Sequence, residues 1–339
     1  MTAPSRSAMS MGGSRYWQDA RWNCALGLVL AVTAIAVCMV NPQFASLENA
    51  RDLLVQIAPV VIVGCGMTAV IMVGEIDISV GSIFGVLAAV MGLTSSPQHW
   101  GFSAPVVVAM TIGAGAAAGL LNGLLVTVGR VPSIVATLGM LTIVRGVTEI
   151  SLGGNWITDL PPAIRAIGTE RFAGLPWSVW VAAIVVVVSV AVMRWTTIGV
   201  KVRAVGGNAD AAKLARVSVT QVKLLAFVVL GLLTGVAAVV SVPQQSVIEA
   251  GIGNGFELVV VTAVVVGGTS IRGGVGGIVG TVLAAILLGS IRTGLVFLKL
   301  GEMATFWERA IQGVFILAAV FMSAMPSFSW GMKRARTPA

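Results

Sequence analysis

The chain has 339 residues, of which 57% are hydrophobic and 10% charged, with a mean hydropathy of +0.98 and a formal net charge of +8. A water-soluble domain of this composition would expose large apolar patches, so the chain reads as a polytopic membrane protein. The positive charge does not point to nucleic acid, because most basic residues lie in short connectors between apolar tracts instead of forming one broad stripe.

Residues 1–21 form a polar, weakly basic tail, followed by the apolar run from Cys24 to Val40. No small-residue cleavage site precedes Asn41 and Pro42, so this run is expected to be the first span and not a removed leader. Further tracts of membrane-span character lie at 53–73, 79–93, 105–128, 132–151, 177–193, 223–242, 257–270, 275–291 and 308–325. The expected fold is therefore all-α and polytopic, with about ten transmembrane helices in a domain over 22–325 and a basic tail at 326–339. With the N-terminus inside, 14 of the 21 basic residues fall on the inner surface, which places both termini in the cytoplasm. Tracts 79–93 and 257–270 are short for a hydrocarbon layer of about 30 Å and read as tilted, broken or re-entrant. Pro59 and Pro132 mark local helix breaks or starts. The longest outer connector, 153–178, carries Pro161-Pro162 and room for a short surface helix around Ala163 to Ile167. Trp100, Trp156, Trp177, Trp180, Trp195 and Trp307 fall near span ends, as interfacial anchors do. The unusually frequent glycine, 41 residues, fits close helix approach in lipid, and Cys24, Cys38 and Cys65 read as small packing residues.

Two glycine-rich stretches interrupt the apolar sequence, VGEIDISVGSIFG (73–85) and VGGTSIRGGVGGIVG (266–280). Gly81 to Gly85 aligns with Gly276 to Gly280, and the match extends into Leu-Ala-Ala after a one-residue slip, a hint of internal duplication of the kind transporters use. Asp77, between Ile76 and Ile78, is costly in hydrocarbon without a partner, a water-filled cavity or a helix N-terminus. Three readings are open: Asp77 or Ser79 caps a helix whose interior begins near Val80, Asp77 contacts a translocated solute, or it serves a gating or interface role. Glu75 is expected nearer water.

The connector at 194–223 carries six Lys or Arg against one acid, Asp210. Within it, GGNADAAKLARV has the grammar of a short helix: Asn208 caps, Asp210 sits in the first turn, and Lys213 and Arg216 lie toward the C-terminus, in the sense the helix dipole favours. Ala211, Leu214 and Ala215 share one face at helical spacing. Such a helix suits docking into a groove on a cytoplasmic protein, and a solvated connector is the alternative.

No lysine follows a phosphate-binding glycine loop, so the chain is not expected to hydrolyse ATP. His99 has no neighbours at metal-ligand spacing, no Gly-x-Ser-x-Gly elbow is present, and no metal site or catalytic residue is expected. Membrane-level acids are limited to Asp77, Glu149 and Glu257, too few for a proton relay.

Four stretches carry a resemblance to the membrane-spanning permease subunit of bacterial ATP-binding-cassette importers for monosaccharides, of the ribose, xylose, arabinose and autoinducer-2 type. GEIDISVG (74–81) resembles the family's Gly-x-Ile-Asp-Leu-Ser-Val-Gly signature, with Ile78 for Leu and Glu75 where Gly is frequent. ATLGMLTIVRGV (136–147), AVGGNADAAKLARV (204–217) and VVVGGTSIRGGVGGIVGT (264–281) are similar to three further segments, in the same order. The resemblance implies a type II importer fold, a second permease subunit, two cytoplasmic ATPase subunits that bind ATP and Mg, and a periplasmic substrate-binding protein. It places the ATPase-coupling helix at Asn208, Ala209, Asp210, Ala211, Ala212, Lys213, Leu214, Ala215 and Arg216. It marks Gly74, Glu75, Asp77, Ser79 and Gly81 as signature and gating residues, with Thr137, Arg145, Thr269 and Ser270 as candidate lining of the path. The expected role is a permease without covalent chemistry or a cofactor of its own, in the bacterial inner membrane, passing a monosaccharide or related small polar solute. The rival readings are a permease for branched-chain amino acids and an ion-coupled secondary transporter.

Overall fold

The computed structural model describes residues 6–298 and 303–324; the expected basic tail at 326–339 lies outside them. The chain is helical almost throughout. In order it forms α1 (Arg6–Val40), α2 (Leu47–Met72), α3 (Val80–Ser95), α4 (Ala104–Thr127), α5 (Ser133–Leu152) and α6 (Pro162–Thr169). A two-residue antiparallel pair, β1 (Arg171–Phe172) with β2 (Leu175–Pro176), leads into α7 (Trp177–Trp195), α8 (Thr197–Gly207), α9 (Ala209–Leu214) and α10 (Val219–Ser241). The chain continues through α11 (Phe256–Val266), α12 (Ile278–Phe297) and α13 (Met303–Ala324).

Each of the ten apolar tracts falls on a helix, and seven of those helices, among the described residues, are long and apolar enough to cross a membrane. The 16 residues of α3 and the 11 of α11 reach only about 24 Å and about 17 Å, respectively. Pro59 lies inside α2 without ending it, whereas Pro132 stands at the N-terminal boundary of α5, where its missing N–H costs nothing. The anticipated surface helix around Ala163 is α6. The connector at 194–223 is more ordered than expected of a loop: α8 and α9 fill most of it, and Arg194 belongs to the last turn of α7.

The helices α2 and α10 are largely buried, while few residues of α7 and of the Trp22–Val40 part of α1 are buried, and these present Leu28, Ile35, Met39, Ile184 and Val187 outward. That apolar exterior is the surface lipid covers. At the centre, α10 packs on α4 with little side chain between them. Gly115 and Gly119 of α4 face Gly231 and Gly235 of α10, each four residues apart, and a Cβ added at Gly231 would stand 2.8 Å from the Gly119 Cα. In lipid no hydrophobic force draws helices together, so close backbone approach supplies the attraction, and paired glycines at this spacing permit it.

A second use of glycine explains the two glycine-rich stretches. At the end of α2, Gly74 takes a φ of +83°, with Gly74 N–H bonded to Ile71 O at 3.0 Å and Glu75 N–H to Val70 O at 3.1 Å. At the end of α11, Gly268 takes a φ of +91°, with Gly268 N–H to Val265 O at 3.0 Å and Thr269 N–H to Val264 O at 3.2 Å. These are the same helix-ending turn, in which a left-handed residue returns two amides to the last carbonyls. The two stretches are alike in that each ends a helix at a left-handed glycine.

The segment between α10 and α11 runs down alongside α3. Ile248 pairs with Ile157 and packs at Gly92, while Gly253 lies against Gly81, about 16 Å further along α3 at helical rise. Consequently α11 starts deep within the bundle, which accounts for its short length.

Adding a methyl at the central helix crossing is expected to cost about 1–3 kcal/mol by overpacking. Thermal unfolding in detergent checks this: Gly119→Ala lowers the midpoint, whereas Gly139→Ala, where a Cβ meets nothing within 4 Å, leaves it unchanged.

Candidate functional site

The break between α2 and α3 centres on a buried polar cluster. Asp77 is 1% exposed, and Ser79 and Asn122 are fully buried. Asp77 Oδ1 accepts from Ser79 N–H at 2.8 Å and from the Ser79 hydroxyl at 2.6 Å, and Asp77 Oδ2 accepts from Asn122 Nδ2 at 2.9 Å. Asn122 Nδ2 also reaches Ser79 Oγ at 2.8 Å. Both carboxylate oxygens are thus held by neutral donors from the break itself and from α4. Ser79 occupies the N-cap position of α3 but makes no side-chain cap bond. The capping expectation is modified accordingly: Asp77 holds the amide of Ser79 one step before the helix, in an Asx-type turn.

The rest of the break leans on α5. The amide of Ile76 donates to Ser133 Oγ at 3.3 Å and that of Ile78 to Thr137 Oγ1 at 3.2 Å. The Thr137 hydroxyl in turn donates to Ser133 O at 2.8 Å. Thr137, a candidate path-lining residue, is fully buried and acts here as a strut. Arg145, another, donates through Nη1 to the carbonyls of Ala250 (3.0 Å) and Ile252 (2.8 Å), so its charge fixes the segment that descends beside α3. Glu257, in the first turn of α11, lies against the Cα of Gly81, and its Oε2 is buried without a hydrogen-bond partner.

Glu75 lies nearer water than the buried Asp77, as expected, but it is only partly exposed. Its side chain is 12% exposed and pairs with Lys223 at the start of α10. Sequence reading could not anticipate this, because 148 residues separate the pair and only the helix packing brings the two together.

On the other side of the break, three glycine-containing turns converge. The amide of Gly274 donates to Met72 O at 2.8 Å. Gly206, at the end of α8, lies so close to Met72 O and Gly274 N that no side chain fits there. Gly273 and Gly274 also pack on the backbone of Gly206 and Gly207. Thr269 sits within this junction, 2% exposed, its hydroxyl against Gly276, and Ser270 Oγ accepts from Arg272 N–H at 3.3 Å. Asp77, Thr269 and Ser270 are therefore brought to one region, with Arg145 and Glu257 further up α3.

From this junction projects α9. Asn208 Oδ1 accepts from the amides of Asp210 (3.0 Å) and Ala211 (2.9 Å), the anticipated cap, and Lys213 pairs with Asp210 at 3.0 Å. The helix spans Ala209–Leu214 and so stops short of Arg216. Arg216 takes a φ of +59° and bonds back to Lys213 O, because the chain must turn there to enter α10 through the Ser218 cap. Ala212 packs inward, while Ala211 and Ala215 are exposed and Leu214 is 89% exposed.

Among the residues that sequence reading missed, Asn122 left a signal: an amide in the middle of an apolar tract needs a buried partner. Ser133 and Lys223 left none beyond their position at helix starts.

Reversing one member of the Glu75–Lys223 pair sets like charges together in a mostly buried place. Lys223→Glu is expected to lose at least about 2 kcal/mol of stability, and the exchange Glu75→Lys with Lys223→Glu to recover more than half of it. Thermal melting of the four proteins in one detergent reads this, and equal melting of the single and double reversals would mean the pair contributes nothing.

Among the described residues no cluster of His, Cys, Asp and Glu fit to hold a metal ion occurs. A family model described as branched-chain amino acid transport system, permease component, matches residues 49–320. The ribose import permease protein of Escherichia coli (strain K12) is 32% identical over 321 residues, covering 93% of this chain and 98% of the relative. The autoinducer 2 import system permease protein of Photorhabdus luminescens is 31% identical, covering 89% of each chain. The L-arabinose ABC transporter permease protein of Azospirillum brasilense is 31% identical, covering 86% and 85%. No solved structure matches. With the model spanning most of the chain and these relatives aligned over nearly their whole lengths, the chain belongs to this family of membrane transport-system permease components.

Proposed function

We propose that the chain forms half of the path of an ATP-driven importer for a monosaccharide or a related small polar solute. The relatives named for ribose and L-arabinose support a pentose-like solute. The family description, which names branched-chain amino acids, supports the second reading. A zwitterionic amino acid needs a free cation and a free anion at membrane depth. Here the cation, Arg145, is occupied by carbonyls of the protein itself, so the unpaired carboxylate oxygen of Glu257 has no free cation to complement it for a zwitterion, which favours a neutral polyol.

In this reading α9, with its flanking Asn208 and Arg216, docks in a groove of a cytoplasmic ATPase subunit that itself binds ATP and Mg. The observation that carries it is a capped helix presenting Leu214 at 89% exposure while its base rests on backbone glycines. A knob that is apolar, exposed and rigidly mounted is what a powered partner can push. Movement of α8 and α9 would pass through Gly206 to Met72 and Gly274, and through Lys223 to Glu75, and so reach the Asp77 break. Gly74, Glu75, Asp77, Ser79 and Gly81 then serve gating, Thr137 and Arg145 shape the path by holding its backbone, and Thr269 and Ser270 belong to the moving turn.

Two such permeases, two ATPase subunits and a periplasmic binding protein complete the assembly. The chain lies in the bacterial inner membrane with ten crossings and both termini in the cytoplasm, α3 and α11 being the short ones.

Leu214→Glu tests the coupling role in the folded complex. Because Leu214 touches little of its own chain, the variant is expected to assemble normally yet lose uptake at least about tenfold, the effect of placing an unpaired charge in an apolar interface. Uptake equal to wild type would overturn the role of α9. A cysteine at Leu214 is expected to react with an impermeant maleimide only in inside-out vesicles, and labelling from the outer face would overturn the topology. Uptake that follows a sodium or proton gradient without the ATPase would support the secondary-transporter reading instead.

A further inference from the structure

A groove of about 530 Å³ opens on the outer surface of the bundle between α7 and α10. Its floor is α2, at Cys65 and Ala69, and α8 closes one end. Its walls are apolar apart from Ser189, whose hydroxyl pairs with the Cys65 thiol: Val188 and Val192 come from α7, Leu225 and Val229 from α10. Polar groups gather at the α8 end, where Lys201 and Gln221 border the groove and are both exposed. Along α10 the lining runs from Gln221 to Leu233, which at helical rise is about 18 Å. That length is close to one leaflet of a hydrocarbon layer about 30 Å thick.

From this geometry we infer that the groove is a binding site for one acidic phospholipid. An acyl chain lies along the apolar wall between α7 and α10, and the phosphate of the headgroup meets the Lys201 ammonium and the Gln221 amide. Three features select this occupant. The groove is open toward the surface that lipid covers, since Val188 and Ile184 on its α7 wall are 54% and 61% accessible. The polarity is graded along the groove, apolar over one leaflet's depth and cationic at its end, which matches a lipid and no soluble solute. The charge is also of the right sign: among the described residues no carboxylate forms an ion pair with Lys201, and a basic group at the end of a groove between membrane helices recruits acidic headgroups.

The consequence lies in what the groove touches. Its closed end is α8, the helix whose last residues, Gly206 and Gly207, form the glycine junction and lead into α9. A lipid seated there would act as a wedge between α7 and α10 beneath α8, so its occupancy would bias the position of α8. The binding itself does not depend on which end of the chain faces the cytoplasm or on the proposed coupling role.

The test uses the full-length protein purified in a mild detergent, with phosphatidylglycerol or phosphatidylcholine added at equal concentrations and bound lipid counted by native mass spectrometry. Wild type is expected to retain one phosphatidylglycerol per chain in preference to phosphatidylcholine. Lys201→Gln, at an exposed position that should leave folding intact, is expected to weaken retention about fivefold, the factor equivalent to about 1 kcal/mol per basic residue at an anionic surface. Val188→Trp, which fills the apolar wall while keeping Lys201, is expected to reduce retention of both lipids. Equal retention of the two lipids, or retention unaffected by both substitutions, would overturn the proposal. So would disulfide capture between two Val188→Cys chains, which would identify a second copy as the occupant.

Discussion

The break between α2 and α3 leaves backbone amides without helical partners around the buried Asp77 and Ser79, and neighbouring protein groups supply those of Ile76, Ile78 and Ser79. Ile76 and Ile78 donate to hydroxyls of α5, Ser79 donates to Asp77, and Asn122 reaches in from α4 to hold both the carboxylate and the Ser79 hydroxyl. An uninterrupted helix would have met the same requirement internally. Irregular backbone at membrane depth is tolerated only where protein or a cavity surrounds it, and here α4 and α5 supply the surrounding groups.

The same economy governs the junction below the break. Met72 has lost its helical partner and accepts instead from Gly274, a residue of the α11–α12 turn. Two helix ends that are far apart in sequence are therefore tied by backbone, and α8 rests on the tie through Gly206. Backbone contacts of this kind have few alternative arrangements, unlike long side chains that can re-pack. The base of α9 is for that reason held firmly to the break, and the Glu75–Lys223 pair adds a second attachment from α10.

The periphery obeys a different rule. The outward faces of α1 and α7 carry large apolar side chains with no protein partner, and lipid completes them. The groove beside α8 brings this apolar surface up to the helix that leads into α9.

The amino-acid sequence alone determined the class, the positions of the apolar helices and the capped α9, because these depend on local composition, on span length and on hydrogen bonds that reach two or three residues along the chain. Asn208 illustrates this: its cap involves only Asp210 and Ala211. The glycine-rich stretches were visible as well, but their meaning was not, since a left-handed turn at Gly74 and a backbone contact at Gly206 look alike in a sequence. The partners of Asp77, the burial of Glu75 against Lys223, the anchoring of Arg145 on 250–252 and the deep start of α11 were decided by tertiary structure. Each is a pairing between groups many residues apart, and the low-dielectric interior makes such a pairing obligatory without specifying, in any local pattern, which distant residue supplies it.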